Sequence, residues 1–362
     1  MTAKKRYDEL SGERSQFLNV AEQAADLTLP YLIRGEEQST TGMRHLPTPW
    51  QSVGAKGVVT LSAKLMLALL PPQTSFFKLQ VDESMLGQFG PEVKSELDLS
   101  FSKIERIILD AIAASDDRVV VHQAIKHLVV AGNALLFMSK KGLKLYPLNR
   151  YVCERDGNGN VVEIVTKELI NKDILEEVFP GYKPAIPEGV SDSTVGIGED
   201  VEVYTHIKRV DNKFNWHQEI DGKIIPRTKG TSPIDSNPWI PLRFNVVDGE
   251  AYGRGRVEEF LGDLKSLEAL SQAICEGSAA AAKVVFTVSP SSTTKPATLA
   301  AAGNGAIVQG RPDDIGVVQV GKTADFGTAY QLIQTLERRL SEAFLILTVR
   351  QSERTTAQEV QM

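Results

Sequence analysis

The sequence predicts an α+β protein: a mostly helical first third, a β-rich middle, and two long helices that flank a small β-rich segment. Three observations predict this class. In residues 1–133, apolar residues recur at the i, i+3, i+4, i+7 spacing of amphipathic helices. Between residue 134 and about residue 244, short runs suited to strands alternate with turn residues. Beyond residue 250, helical periodicity returns on both sides of a stretch rich in proline and glycine.

Length and composition limit the function classes. The chain has 362 residues, enough for about two domains of roughly 150 residues each. Its formal net charge of -6 argues against a generally basic nucleic-acid binder, although it does not exclude a protein that DNA merely passes. Two distant cysteines, Cys153 and Cys275, fit a reducing cytoplasm, and no apolar signal segment follows the basic start.

The first third predicts four helices and one strand. The second helix, between Pro49 and Pro72, is apolar enough to suggest a membrane span, but Lys56 and Lys64 interrupt it and its apolar part is shorter than the roughly 20 residues required. A buried helix is therefore the better interpretation. The first helix ends at Pro30, the third begins at Pro91, and the fourth runs from about Asp116 to Gly132. The strand is FFKL at 76–79.

The β-rich middle predicts five runs of strand. They are LLFMS, LKLYPL, the hairpin YVCERDGNGNVVEIVTKEL, VEVYTHIKRV and NKFNWHQEI. The hairpin turn is placed at residues 156–159, because Gly and Asn tolerate the positive φ of a tight turn. Residues 171–200 are rich in proline, glycine and acids, which predicts a surface loop.

The longest predicted helix is 251–286, about 54 Å of chain at roughly 1.5 Å per residue. Gly253 and Gly255 precede its apolar stripe, and we expect them to form an elbow with backbone angles closed to other residues. Residues 287–326 predict a small β-rich module, after which Thr328 and Gln331 have the spacing of a capping box.

The last residues, ERTTAQEVQM, place Thr356 and Glu359 as a further capping box. A helix would therefore begin where the chain stops, which predicts a truncated end.

A search for chemistry finds no convincing catalytic, cofactor or metal site. The histidines show no metal-ligand spacing, and no phosphate-binding P-loop is present. The Gly253-Arg254-Gly255 run lacks the third glycine of a dinucleotide elbow, and the adjacent pair Asp313 and Asp314 suits a solvated turn. The sequence therefore predicts a protein that is not an enzyme and needs no cofactor.

Four segments stand out by their order and spacing: PWQSVGAKGVVTLSAKLMLALLPPQTSFFKL (49–79), LKLYPLNRYVCERDGNGNVVEIV (143–165), PLRFNVVDGEAYGRGRVEEFLGDLKSLEAL (241–270) and ERTTAQEV (353–360). Together they resemble the head-to-tail connector, or portal, proteins of T7-type short-tailed phages (podoviruses). The resemblance implies a virion protein, assembled in the host cytoplasm. It would form a dodecameric ring at one capsid vertex, and double-stranded DNA would pass through the ring during genome packaging and ejection.

The resemblance also implies a division of the chain. Residues 1–250 would be the wing, helical over 1–133 and β-rich over 134–250, with Gly253 and Gly255 in the elbow that leads to the stem. The stem helices would be 251–285 and 327–347, with the clip at 286–326 between them. Residues 348–362 would begin the channel helix, capped by Thr356 and Glu359, and the tunnel loop and crown would be missing.

Partners are likewise implied by the resemblance. The clip would dock the terminase large subunit first, which would hydrolyse the ATP, and tail adaptor or tail tube proteins later. Capsid and scaffold proteins would surround the ring, with no direct membrane anchor. The candidate clip contacts are Ser289, Lys295, Arg311 and Lys322.

Two other function classes stay open. One is a different virion structural protein, from the tail or the particle interior, and assembly symmetry would distinguish it. The other is a metal-dependent phage nuclease, which would need clustered carboxylates.

Overall fold

The computed structural model describes residues 2–34, 46–71, 74–80, 91–182, 200–281, 285–288, 295, 297, 301, 315–318 and 323–346. Within these residues, helices and β-sheets both contribute large parts of the chain, as the predicted α+β class requires. The chain divides into two compact units, which are Met1–Gly262 with Leu340–Met362, and Asp263–Arg339.

The first third folds into four helices: α1 (Ala3–Asp26), α2 (Val53–Leu69), α3 (Pro91–Ala114) and α4 (Asp117–Ala131). The hydroxyl of Thr2 caps α1 by accepting from the Lys5 N–H, and α4 ends at Gly132 in the left-handed conformation that favours glycine. The expected buried helix is only partly confirmed for α2, because one face of its N-terminal half is buried, whereas Val59, Leu67 and Leu69 are exposed. The predicted FFKL strand is absent from the described residues, where 76–79 has no strand pairing.

The β-rich middle contains nine strands in the described residues. They are β1 (Asn133–Ser139), β2 (Gly142–Tyr146), β3 (Tyr151–Arg155), β4 (Val161–Asn171), β5 (Asp200–Val210), β6 (Lys213–Ile220), β7 (Lys223–Ile224), β8 (Gly230–Pro233) and β9 (Trp239–Arg243), with a short helix α5 (Leu175–Val178) after β4.

These strands form two antiparallel sheets. The smaller has the order β2-β1-β9, and the larger has the order β3-β4-β5-β6-β7 with β8 also paired to β6. The predicted β3–β4 hairpin turn is present, with Gly159 at φ 81°. Helix α1 packs on the larger sheet through a buried apolar cluster of Ala3, Tyr7, Leu10, Val152, Val165 and Tyr204.

The predicted helix 251–286 is shorter and interrupted. Residues 251–255 are not helical; α6 covers Arg256–Glu259, the helix breaks at Phe260, and α7 runs over Leu261–Ala281. At the break, the Phe260 N–H donates to the Val257 carbonyl at 3.1 Å, a three-residue closure tighter than an α-turn. The end of the predicted helix is also wrong, because 285 and 286 belong to β10 (Val285–Val288).

Strand β10 pairs antiparallel with β11 (Ile315–Val318), and α8 (Thr323–Ala343) follows. Because α8 begins at Thr323, Thr328 and Gln331 lie inside the helix, and the predicted capping box at its start is wrong. Its end also falls short of residue 347, because Leu345 has φ 54°, outside helical geometry.

Candidate functional site

The turn from β9 into α6, residues 244–255, is called the elbow. Asn245 and Arg254 close it as an antiparallel bridge, each N–H donating to the other residue's carbonyl at 3.1 and 2.9 Å. The residues between them form a loop in which Gly249 takes φ 79°. The chain therefore leaves the small sheet, makes a loop, and returns to the same point before α6 begins.

Three glycines lie at the base of the elbow where two backbones touch. A Cβ on Gly255 would lie 2.5 Å from the Val130 carbonyl oxygen, and one on Gly253 would lie 2.8 Å from the Gly132 carbonyl oxygen. Gly255 has φ -80° and ψ 156°, and Gly253 also lies outside the left-handed region. The expected reason for Gly253 and Gly255, unusual backbone angles, is therefore wrong. Glycine is required because the end of α4 approaches too closely for any side chain.

Asn133 joins the same two segments. Its side chain is buried and accepts from the Gly253 N–H at 2.7 Å, while its amide donates to the carbonyls of Gly253 at 2.7 Å and Ala131 at 2.9 Å. The Asn133 side chain both accepts from and donates to the Gly253 backbone, so it pairs with Gly253 as a residue of a neighbouring strand would. Asn133 was not among the residues predicted from the sequence, where its only local signal is its position directly after a helix-ending glycine.

Arg254 carries most of the charge pairing of the elbow. Its guanidinium donates to Glu250 at 2.5 and 2.9 Å and to Glu258 at 2.5 Å, and it lies 5.3 Å from the centre of the Phe17 ring. The hydrogen bonds that Arg254 donates to Glu250 and then to Glu258 raise the pKa of Arg254 above its ordinary value. This side chain therefore stays charged while its charge is balanced within the protein.

A cleft of about 490 Å³ lies between the elbow loop and the β3–β4 hairpin turn. Two arginines in its wall donate hydrogen bonds to backbone carbonyls of the elbow and of β9. Arg155 donates to the carbonyls of Ala251 and Pro241, both at 3.0 Å, and Arg243 donates to the Glu250 carbonyl at 2.9 Å. In the turn, hydrogen bonds from Asn160 lower the pKa of Asp156. These contacts fix the elbow loop against the sheet, so the cleft is a stiff junction.

The histidines of the large sheet each have a carboxylate partner. His206 contacts Glu163 on the neighbouring strand, and His217 lies 2.9 Å from Glu219 on its own strand. In the described part of the chain, no group of three or more His, Cys, Asp or Glu residues is arranged to hold a metal ion. Of the helices there, none has both the length and the apolar character that crossing a bilayer needs.

Most of the other site residues predicted from the sequence cannot be placed. Lys295 is described and exposed. The remaining clip candidates, and both channel-helix cap residues, lie outside the described residues; they are Ser289, Arg311, Lys322, Thr356 and Glu359.

Comparison with known families gives a match over the whole chain. Residues 1–362 match the family described as "Bacteriophage head to tail connecting protein". The chain is 37% identical to the portal protein of Escherichia phage T7 and 38% identical to that of Enterobacteria phage T3. Each alignment covers 99% of this chain and 68% of the relative. The portal protein of Enterobacteria phage SP6 is 32% identical and is covered over 69% of its length.

Among solved structures, a chain in the neck of an empty gene transfer agent particle is similar to this one with a TM-score of 0.33. The identity is 13%, over 64% of this chain and 54% of the other. A chain of the native gene transfer agent virion gives the same TM-score at 11% identity, over 66% of this chain and 59% of the other. Similarity at this level transfers no structural detail.

Proposed function

This chain belongs to the bacteriophage head to tail connecting proteins, and from that membership we propose that it is a portal subunit. Copies of it would form a ring, expected to be a dodecamer, at one vertex of the capsid in the virion. Double-stranded DNA would pass through the ring during packaging and ejection. The observation that carries the proposal is the family match over residues 1–362, together with 37% identity to a portal protein along nearly the whole chain.

The proposed division of the chain follows from the order of elements. The wing would be about 1–250, the stem helices would be α6 with α7 and, on the return, α8, and the clip would be the segment between α7 and α8, with 348–362 beginning the channel helix. The antiparallel pair β10–β11, which follows α7 and precedes α8, supports a clip held between two stem helices. It is the arrangement expected if the clip projects as a hairpin from the ends of two long helices.

The elbow would be the joint between wing and stem. Its two-way pairing with Asn133 and its close backbone contact with Val130 are short and buried. Contacts of this kind would keep the elbow attached to the end of α4. We therefore assign Gly253 and Gly255 a structural role in fixing where the stem leaves the wing.

DNA would pass the stem without being gripped. Residues 251–285 contain four basic residues (Arg254, Arg256, Lys265, Lys283) and five acidic ones (Glu258, Glu259, Asp263, Glu268, Glu276). Two of the cations are also paired within the protein, Arg254 with Glu250 and Glu258, and Arg256 with Glu259. Because each phosphate neutralised by a free cation adds salt-dependent affinity, paired cations favour sliding. Filter binding at physiological salt should find weak binding, and nanomolar affinity would contradict this proposal.

The clip is the proposed docking site for other proteins. Terminase, which would supply the ATP hydrolysis, would bind there first, and tail adaptor or tail tube proteins would replace it after packaging. Capsid and scaffold proteins would contact the wing during assembly in the host cytoplasm. Lys295 is exposed, as a docking contact must be, and Ser289, Arg311 and Lys322 remain proposed contacts from the sequence.

Electron microscopy of the purified chain tests the ring. End-on class averages should show a closed ring of about a dozen subunits around a channel. A chain that stays monomeric across a wide concentration range, or that grows open filaments, would contradict the proposal for this chain. A longer chain that carries the further length of the curated relatives should then be imaged in the same way.

A further inference from the structure

Helix α3 is a long helix with almost no cover. Over residues 93–114, where the structure describes its side chains, not one is buried. Four large apolar residues have more than a third of their surface exposed on one side: Val93 42%, Ile104 44%, Ile107 67% and Ile108 37%. At about 25 cal/mol per Å² of apolar surface, leaving such a row in water is unfavourable.

The four exposed apolar residues share one side of the helix. Ile104, Ile107 and Ile108 have the i, i+3, i+4 spacing, and Val93 falls on the same side eleven residues earlier. Another edge of the helix holds it to the protein, where the Glu105 carboxylate accepts from the Leu79 N–H at 2.5 Å. The helix is therefore attached along one edge, where Leu97, Phe101, Leu109 and Ile112 are half-buried, while Val93, Ile104 and Ile107 beside that edge stay exposed to solvent in the described chain.

The charges on α3 exclude two kinds of partner. The helix carries three basic residues and five acidic ones, a net charge of -2; they are Lys94, Lys103 and Arg106 against Glu92, Glu96, Asp98, Glu105 and Asp110. An anionic lipid surface or a nucleic acid would be repelled by this balance. A protein surface is the remaining class of partner.

The apolar face of α3 is smaller than a whole protein interface. With 24 residues, α3 is about 36 Å long at roughly 1.5 Å per residue, and it is roughly 10 Å wide. It therefore offers about 360 Å², whereas a stable interface buries roughly 800 Å² on each partner. It could form the apolar centre of an interface but not the whole of one.

Resting on the proposed ring, we infer that the exposed face of α3 packs against a second copy of this chain, the neighbouring subunit. A closed ring places an identical neighbour against every subunit, and the two sides of that contact are different surfaces. The α3 face would be one of the two, and each subunit would use it once.

A pair of matched variants tests the assignment. Ile104→Glu places a charge in the exposed face, whereas Leu99→Glu places it about 140° around the same helix, at a leucine that is 61% exposed. Both sites are exposed, so circular dichroism should show folded protein for both. In mass photometry, the concentration for half assembly should rise about tenfold or more for Ile104→Glu, because each factor of ten corresponds to ~1.4 kcal/mol, and should stay near wild type for Leu99→Glu.

A second measurement uses the wild-type chain. Hydrogen exchange of the α3 amides should be slower in the assembled ring than in the dilute monomer. If Ile104→Glu fails to fold, this comparison decides the matter, and unchanged exchange would overturn the inference.

The other outcomes are also decisive. Normal assembly of Ile104→Glu, or equal damage from Leu99→Glu, would overturn the assignment while leaving the ring intact. Ile104→Glu rings that form but are not incorporated into capsids would show that a capsid component, not a second copy, covers α3. A wild-type chain that never forms a ring would instead contradict the proposed function itself, and the inference with it.

Discussion

Helices α1 and α3 have the same length, 24 residues, but opposite environments. Helix α1 contains five large apolar residues and α3 contains nine, and yet α1 buries eight residues whereas α3 buries none over 93–114. Apolar content therefore does not decide which helix is covered within the chain. Which helix is covered depends on whether the fold supplies a complementary surface, and in the described residues α3 is covered only in part, with Leu97, Phe101, Leu109 and Ile112 half-buried.

Polar contacts account for much of the difference. The Ala3 N–H donates to Glu219 at 2.6 Å, Arg6 donates to Glu163 at 3.1 Å, and Lys4 pairs with Glu202 at 3.0 Å. These glutamates lie on three adjacent strands, and they face the positive end of the helix dipole. Helix α1 is thus fixed in register on the sheet, whereas α3 is attached along one edge, where Glu105 accepts from the Leu79 N–H.

The strongest test of this contrast is Tyr7→Ala in α1. Tyr7 is 1% exposed, its ring packs edge-on to Tyr204, and its hydroxyl donates to the Asn149 carbonyl at 3.1 Å. We expect a loss of ~3–5 kcal/mol in the free energy of unfolding, as for other buried aromatic truncations, measured by urea denaturation. Leu99→Ala in α3 is the control, with a change within ~0.5 kcal/mol. Equal losses would remove the distinction between the two helices.

The next test compares two glycines. Gly255→Ala puts a Cβ 2.5 Å from the Val130 carbonyl, and we expect it to cost ~1–3 kcal/mol of unfolding free energy. Gly12→Ala, inside α1 with open space around it, should instead stabilise by ~0.5–1 kcal/mol. Thermal unfolding of both variants measures the difference. An unchanged unfolding free energy for Gly255→Ala would show that the elbow backbone shifts to make room for the Cβ.

Acid should weaken the docking of α1. Burial alone would raise the pKa of Glu163, but hydrogen bonds from His206 and Arg6 outweigh it and lower the pKa to about 2. A depressed carboxyl pKa contributes stability above the ordinary value near 4.5, and that contribution disappears as the pH falls towards 2. The unfolding temperature should therefore fall more steeply over this range for wild type than for Glu163→Gln. Glu96→Gln, exposed on α3, should follow the wild-type profile, and a wild-type profile for Glu163→Gln would exclude this contact as the cause.

The smallest expected effect is on the exposed face of α3. Ile107→Ser should change the unfolding free energy of the monomer by no more than ~0.5 kcal/mol, because the side chain is 67% exposed. Urea denaturation below the assembly concentration measures it. A loss above ~2 kcal/mol would mean that the chain covers α3 itself, and the comparison between the helices would no longer hold.

Several elements could be predicted because local residues determine them. The helix before Gly132 ends where a left-handed glycine ends it, and the turn at 156–159 forms where the Asp-Gly-Asn-Gly run allows positive φ. The strands of the middle segment follow from short apolar runs and their turns. The resemblance of four segments to portal proteins likewise needed only the sequence, and the family match confirms it.

The candidate site was only partly predictable. Gly253 and Gly255 could be named from the sequence, but the reason for them could not, because the α4 end that they touch is about 120 residues earlier in the chain. Asn133 gave no chemical signal for the same reason. Its amide has a role only once the fold brings Gly253 within 2.7 Å.

What the sequence by itself determined is therefore the class of fold, the position of most helices and strands, and the family. Periodicity, caps and turns act over a few residues, so they can be recognised without the fold. Contacts between distant residues decided the rest. The 76–79 run has no strand partner in the described residues and so forms no strand. The predicted long helix breaks at Phe260, whose ring lies 5.8 Å from that of Phe344. In the described residues, no side chain of α3 over 93–114 is buried. The amphipathic pattern of α3 predicts a helix with one apolar face, but only the tertiary structure shows that the described part of the chain leaves Val93, Ile104 and Ile107 exposed.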